Sequence, residues 1–197
     1  MATLSLTYGT MAAGKSTLAL QLCWQLRGSG QNVALWTFGD RSGEGLVTSR
    51  LGISAPAVAV SPGEDVEQLC RGLTADGVRV LVVDEVQFAT ADQIDRLAAL
   101  VDEEELDVHC FGLGADFRLD VFPGTARLFA CADVVRELPL VSHCWCGRPG
   151  RCNARVVDGL VQREGEQRVL GDVSAAGGPE VRYVVLCRRH WRTGELR

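Results

Sequence analysis

The sequence predicts an α/β protein whose parallel sheet carries helices on both faces, with a small metal-stapled module behind it. Three features of its 197 residues point there. Segments rich in β-branched residues alternate with helix formers from residue 3 to residue 138, the pattern of a doubly wound parallel sheet. A glycine-bounded turn separates the first strand-like segment from the first helix-like one. From about Val141 helical periodicity vanishes, and cysteines and histidines crowd together.

The first strand is expected at 3–8, where apolar and hydroxylic side chains alternate. It runs into Gly9, Thr10, Met11, Ala12, Ala13, Gly14, Lys15, Ser16 and Thr17, which fit the pattern G-x-x-x-x-G-K-[ST]. Leucines at helical spacing follow over 18–26. Strand, turn and helix start thus fall in the order a phosphate-binding loop requires. Gly9 and Gly14 let consecutive N–H groups converge on one anion, and the helix start adds its free N–H groups and positive dipole end. Lys15, the only lysine in the chain, offers an ammonium to the β- and γ-phosphates, and the Ser16 hydroxyl suits Mg²⁺. A sheet built on such a loop is of the P-loop, RecA-like kind.

After a turn at 28–32, residues 33–38 read as a buried strand ending in a glycine-rich polar loop, 39–45, that carries Asp40 and Arg41. That loop is either plainly solvated or part of a site beyond the carboxyl end of its strand. A short strand with its flanks is expected at 55–62 and a helix at 65–71. The run 78–83 is almost wholly β-branched, as in a strand buried on both faces, and stops at Asp84 and Glu85, followed by Val86, Gln87 and Phe88. An apolar strand ending in an acid is the usual second half of a phosphate-loop site, with Asp84 holding Mg²⁺ directly or through water. Glu85 then orients a water in a hydrolase, accepts the proton of a substrate hydroxyl in a kinase, or is simply a surface acid.

A helix over 92–105 has Thr90 as its N-cap and Ile94, Leu97, Leu100 and Val101 on one face. A strand at 106–113 leads to a broken loop, 114–124, whose Phe117 and Phe122 read as core anchors or as walls for a flat ring. A helix at 125–131 and a strand at 133–138 close the α/β part.

Composition narrows the function. The hydrophobic fraction of 47% and charged fraction of 23% are those of an ordinary globular protein. No apolar run is long enough to span a bilayer, and no signal-type segment opens the chain, so cytoplasm is expected and a membrane partner is not. A net charge of −5 argues against wholesale binding to nucleic acid.

Of eight cysteines, Cys23, Cys70, Cys110 and Cys131 sit in apolar segments and read as inert core thiols. Cys144, Cys146, Cys152 and Cys187 share the C-terminal third with His143 and His190, which in a reducing compartment suggests metal rather than disulfides. Cys187 and His190 have the spacing of half a zinc site. The other half comes from Cys144 and Cys146, or from His143 with Cys146, with Cys152 a further candidate. Four such ligands suit a closed, structural Zn²⁺, and a module with so few core side chains needs the staple. Residues 192–197 read as a frayed tail.

Taken together these motifs resemble the thymidine kinases of the cytosolic, zinc-containing type, in bacterial form. The resemblance runs from Gly9 to His190. The family's G-x-M-x-x-G-K-S-T is present with Met11, its D-E-x-Q-F stands at 84–88, and its G-L-x-x-D-F-R at 112–118 precedes Phe122 and Pro123. Its C-G-x-P-A-x-x-T-x-R is echoed at 146–155, and its closing Tyr and C-R-x-C/H at 183–190.

The resemblance implies transfer of the ATP γ-phosphate to the 5′-hydroxyl of thymidine, and of deoxyuridine to an open extent, in nucleotide salvage. Glu85 is then the general base, Lys15 and the loop 9–17 bind the phosphates together with Asp84, Glu85, Val86 and Gln87, and Ser16 and Asp84 hold Mg²⁺. Phe117 stacks on the thymine with Met11, Leu113, Phe122, Asn153 and Tyr183 around it. Val169, Leu170, Gly171, Asp172 and Val173 form a "lasso" that binds the base through its backbone and is anchored by the zinc. The implied organisation is an ATP-binding domain at 1–141, a zinc-binding lasso domain at 142–191 and the tail at 192–197. The family pattern further implies a cytoplasmic homotetramer, inhibited by dTTP, with no nucleic-acid partner.

Departures are local. The first cysteine pair is Cys-x-Cys, which leaves the fourth zinc ligand open. Gly114 stands where many members have Asp, Asn153 where many have Thr near the thymine methyl, and the lasso is longer through 174–179. Asp40 and Arg41 match the family only loosely. Two other classes fit parts of the pattern: a phosphate-loop ATPase or GTPase switch, which needs no nucleoside, and a zinc-knuckle nucleic-acid binder, which the acidic balance opposes.

Overall fold

The computed structural model describes residues 1–39, 45–167 and 180–197. β1 (Leu4–Tyr8) passes through the glycine-bounded loop into α1 (Lys15–Gly28), and β2 (Val33–Phe38) follows. A small antiparallel hairpin, β3 (Leu46–Thr48) and β4 (Ser54–Pro56), precedes β5 (Val58–Val60) and α2 (Val66–Ala75). Then come β6 (Val80–Asp84), a 3-10 turn at Val86–Phe88, α3 (Ala91–Glu104), β7 (Asp107–Gly112), α4 (Pro123–Cys131) and β8 (Val134–Glu137).

The main sheet has the order β5-β2-β6-β7-β1-β8, and every pairing in it is parallel. β7 lies between β1 and β6, the RecA-like arrangement. The strand that feeds the loop at Gly9 and the strand that ends at Asp84 are thus one strand apart, about 10 Å at ordinary strand spacing. Both carboxyl ends open on the same edge, where ligands of such sheets bind. β6 is buried along its whole length, as its β-branched run requires. One face of the sheet packs against α2, α3 and α4 through Leu4, Leu6, Leu81, Ile94, Leu97 and Leu128; the other packs against α1 through Ala19, Leu20 and Cys23.

Local chemistry sets the helix ends. Asp65 caps α2 by accepting from the Glu67 and Gln68 amides, and Thr90 and Gln93 form a reciprocal capping box on α3. α1 begins at Lys15, earlier than the leucine spacing implies, because the loop itself delivers its first turn: Leu18 N–H already bonds Gly14 C=O.

After β8, β9 (Cys152–Val157), β10 (Leu160–Gln162) and β11 (Val181–Leu186) form an antiparallel sheet in the order β10-β9-β11, and α5 (Arg188–Thr193) closes the chain. Its own core is small: Cys144, Ala154, Leu186 and Cys187, with Trp191 and Leu196 against them. Two expectations are corrected. The segment 55–62 is not one strand but two three-residue pieces on different sheets, and the hairpin partner at Leu46–Thr48 was not foreseen. Residues 192–197 are not a free tail: α5 runs to Thr193, Trp145 Nε1 donates to Glu195 C=O at 3.3 Å, and Leu196 packs on the module.

Candidate phosphoryl-transfer site and metal cluster

The loop after β1 is shaped by two residues in left-handed backbone, Ala12 (φ 59°) and Gly14 (φ 90°). A Cβ at Gly14 would meet nothing within 4 Å, so glycine is needed there for its backbone angle and not for space. Lys15 folds over the loop, with Nζ donating to Thr10 C=O at 2.9 Å. Its side chain is 8% exposed, and burial draws its pKa down against the opposing pull of Glu85 and Asp84.

Asp84, at the end of β6, is 3% exposed. Burial first, and the neighbouring Glu85 charge second, push its carboxyl up to about 6, while the Ser16 hydroxyl and the Glu85 amide hold it back. Its Oδ1 is buried with no hydrogen-bond partner among the described residues. An orphaned carboxylate oxygen beside a serine hydroxyl and a buried lysine is the donor set that a hard cation with oxygen ligands fits.

Glu85 follows in left-handed backbone (φ 54°), a conformation costing about 1–2 kcal/mol for a non-glycine residue. Gln87 braces it. Gln87 Nε2 donates to the Glu85 carboxylate, and Gln87 Oε1 accepts from Leu113 N–H at 3.0 Å. Gly112 makes that bridge possible, since a Cβ there would lie 2.8 Å from Gln87 Oε1. Thr125 Oγ1 donates to Leu113 C=O at 2.8 Å, so Leu113 is tied at both ends.

Met11, Lys15, Ser16, Asp84, Glu85 and Leu113 line one cavity of about 780 Å³, while Gly9, Thr10, Val86 and Gln87 do not reach it. The volume is in the range of small-molecule sites. Phe117, Phe122, Asn153 and Tyr183 do not line it. Phe117 is 2% exposed, and the Arg155 guanidinium lies 3.7 Å from its ring centroid. Arg155 Nε also donates to Tyr183 Oη at 2.9 Å. Phe122 packs edge-on to Phe88. Asn153 uses both ends of its carboxamide on backbone, accepting from Met11 N–H and donating to Ala115 C=O. Val169, Leu170, Gly171, Asp172 and Val173, the longer loop at 174–179, and Asp40 and Arg41 lie outside the described residues.

Within the module, the ligand atoms of Cys144, Cys146, Cys187 and His190 all lie within 4.8 Å of one another. Cys144 Sγ is 3.3 Å from His190 Nδ1, and Cys146 Sγ is 4.0 Å from Cys187 Sγ. Tetrahedral Zn²⁺ with Zn–S near 2.3 Å and Zn–N near 2.0 Å puts its ligands roughly 3.5–3.8 Å apart, so the cluster fits the ion. His190 Nε2, the nitrogen not facing the thiols, is 3.6 Å from a Glu195 carboxylate oxygen, and Trp145 stacks on the ring at 4.4 Å. His143 and Cys152 are not in the group. His143 instead forms a bridge with Pro149, while Cys152 is a buried thiol of β9.

Sequence reasoning missed Ser142, Arg155 and Trp191. Ser142 Oγ donates to Met11 C=O at 3.0 Å, and Trp191 Nε1 donates to Phe117 C=O at 2.9 Å. Only for Arg155 was there a usable signal: it is the closing arginine of the motif at 146–155 and sits two residues from Asn153 on a strand, so both point to the same face.

A RecA-like sheet, a phosphate loop with its lysine, and an acid pair facing it across one cavity define a phosphate-loop nucleotide-binding protein equipped to move a proton. The chain belongs to the thymidine kinase family, whose description, "Thymidine kinase", matches residues 2–191. It is 46% identical over 196 residues to a thymidine kinase of Cutibacterium acnes, covering 98% of this chain and 90% of that one. A thymidine kinase of Streptomyces avermitilis is 46% identical over 189 residues, covering 93% and 86%. One from Jannaschia sp. is 40% identical over 196 residues, covering 98% and 96%. The chain is therefore a nucleoside kinase, a phosphotransferase that uses ATP and Mg²⁺.

Proposed function

We propose that this chain transfers the γ-phosphoryl group of ATP to the 5′-hydroxyl of thymidine, with deoxyuridine as a second acceptor. One observation carries the residue assignment: in a chain of this family, Lys15, Ser16, Asp84 and Glu85 line a single cavity. Lys15 and the loop 9–17, through those of its amides that no protein acceptor takes, hold the phosphates, with Val86 and Gln87 behind them. Ser16 and Asp84 hold Mg²⁺, which when bound offsets the charge of the phosphate oxygens. Glu85 takes the proton of the 5′-hydroxyl as the oxygen–phosphorus bond forms and the bond to ADP breaks. Gln87 fixes the rotamer of that carboxylate through its bond to Leu113. Met11 and Leu113 supply the apolar wall for the base, with Phe117, Phe122, Asn153 and Tyr183 as the layer behind it.

The segment 1–141 is the ATP-binding domain, and 142–191 is the zinc-held domain that carries the base-binding residues 169–173. Feedback binding of dTTP, a homotetramer and a cytoplasmic location complete the proposal. Among the described residues no helix is long and apolar enough to cross a membrane. Mixing the protein with Mg-ATP and a panel of nucleosides tests the function. Thymidine monophosphate is the expected product. Phosphate release without any nucleoside would instead make it a hydrolase, and inhibition of turnover by dTTP, with the mass measured by sedimentation, checks the regulatory and oligomeric parts.

A further inference from the structure

Met11 sits inside the phosphate loop, yet both of its backbone polar groups are held from outside it. Its N–H donates to Asn153 Oδ1 at 2.7 Å, and its C=O accepts from Ser142 Oγ at 3.0 Å. Asn153 is also engaged at its other end, with Nδ2 donating to Ala115 C=O at 3.1 Å. Ala115 stands between Leu113, on the cavity wall, and Phe117. Asn153 is 5% exposed, so its carboxamide is committed to these two backbone groups and not to bulk water.

The residue after Met11 is Ala12, a non-glycine at φ 59°. Such a conformation persists only where its surroundings impose it. The two bonds on Met11 fix the peptide groups that lead into Ala12, and with the Ala13 N–H bond to Thr10 C=O inside the loop they keep it curled. Asn153 comes from β9, which pairs with β11 over its full length, from Leu186↔Cys152 to Val181↔Val157. Leu186 is followed directly by Cys187 of the metal cluster. The position of Asn153 is therefore set by the module and not by the phosphate loop.

We infer that Asn153 is a positioning residue for the phosphate donor. Through Met11 it holds the phosphate loop in its anion-binding shape, and through Ala115 it sets the distance between that loop and the nucleoside wall. The inference rests on the phosphate loop being the ATP site. It gives Asn153 a role on the donor side of the reaction, distinct from contact with the thymine methyl.

The test compares Asn153→Leu, of similar volume but without polar atoms, and Asn153→Thr, whose hydroxyl can still accept from Met11 N–H, with the parent protein. Equilibrium affinities for a non-hydrolysable ATP analogue with Mg²⁺ and for thymidine are measured separately, along with zinc content, melting midpoint and turnover. Asn153→Leu is expected to bind the ATP analogue about tenfold or more weakly, with a clearly smaller loss of thymidine affinity and zinc content kept. Asn153→Thr is expected to recover part of the ATP affinity. Unchanged ATP affinity in Asn153→Leu would overturn the inference. So would a parallel loss of ATP affinity, thymidine affinity and zinc that Asn153→Thr does not relieve, which is the mark of a purely structural brace. Failure of the parent to phosphorylate thymidine would count against the proposed function alone, because ATP affinity reads the role of Asn153 directly.

Discussion

Asp84 is where the site works against the fold, and replacing it with asparagine exposes the conflict. Burial, reinforced by the Glu85 charge, raises its carboxyl from 3.8 to about 6. The folded pKa lies above the unfolded one, so the folded state holds the proton more tightly between those values. The contribution of Asp84 to stability is then most favourable below about pH 4 and is lost as pH rises through 6. The gap of roughly 2.2 pH units, at about 1.36 kcal/mol each, makes the deficit about 3 kcal/mol at neutral pH. At pH 5 roughly half of it has developed.

Asp84→Asn keeps the shape and removes the charge. Without added Mg²⁺ or nucleotide at pH 7.5 it is expected to melt above the parent, by up to about 6–12 °C for a chain of this size, less whatever the new amide loses for want of an acceptor. The advantage shrinks by about half at pH 5. Adding Mg-ATP reverses the order, because the parent gains binding energy that the variant cannot. Thermal unfolding across that pH range, with and without Mg-ATP, is the assay. A variant that melts below the parent at pH 7.5, or whose advantage grows as pH falls, would refute the idea that function holds a buried charge here at the expense of stability.

Gln87→Leu frees the Glu85 carboxylate and leaves Leu113 N–H unpaired, so turnover should drop about tenfold or more with little change in KM for ATP; steady-state kinetics decide it. Cys187→Ser should lose zinc by metal analysis and lower the melting midpoint, whereas Cys152→Ser should keep its zinc. Arg155→Met removes the guanidinium that joins the Phe117 ring to the Tyr183 hydroxyl, and KM for thymidine should rise about tenfold. Arg155→Lys should not restore it, because an ammonium cannot lie flat on the ring and reach Tyr183 and Glu166 together. Equal rescue by lysine would show that only the charge matters.

What could be read from sequence was what local chemistry dictates. A phosphate loop needs its glycines and lysine at fixed spacing, a strand buried on both faces needs an unbroken β-branched run, and caps such as Thr90 announce themselves. β3 and β4 escaped because strands of three residues, the second of them Ser-Ala-Pro, are too short to carry a usable periodicity. The zinc ligands stayed ambiguous for a related reason. A Cys-x-Cys spacing becomes usable only because the chain reverses at Gly147 (φ 81°), whose N–H bonds Cys144 C=O at 2.8 Å. Ser142 and Trp191 act across 131 and 74 residues of sequence, a distance at which no local pattern speaks. The two phenylalanines illustrate the same limit: sequence allowed core or pocket, and Arg155, which decides what lies on Phe117, comes from another layer of the fold.

The central claim is that Glu85 removes the proton from the acceptor hydroxyl while the rest of the cavity holds ATP. Glu85→Gln keeps the size of the side chain and abolishes its basicity. With saturating Mg-ATP and thymidine, thymidylate formation should fall by roughly 10²- to 10⁴-fold while affinity for ATP stays within about threefold of the parent. If Glu85→Gln retained most of the parental rate, the proton would be leaving by another route and the assignment of Glu85 would be wrong.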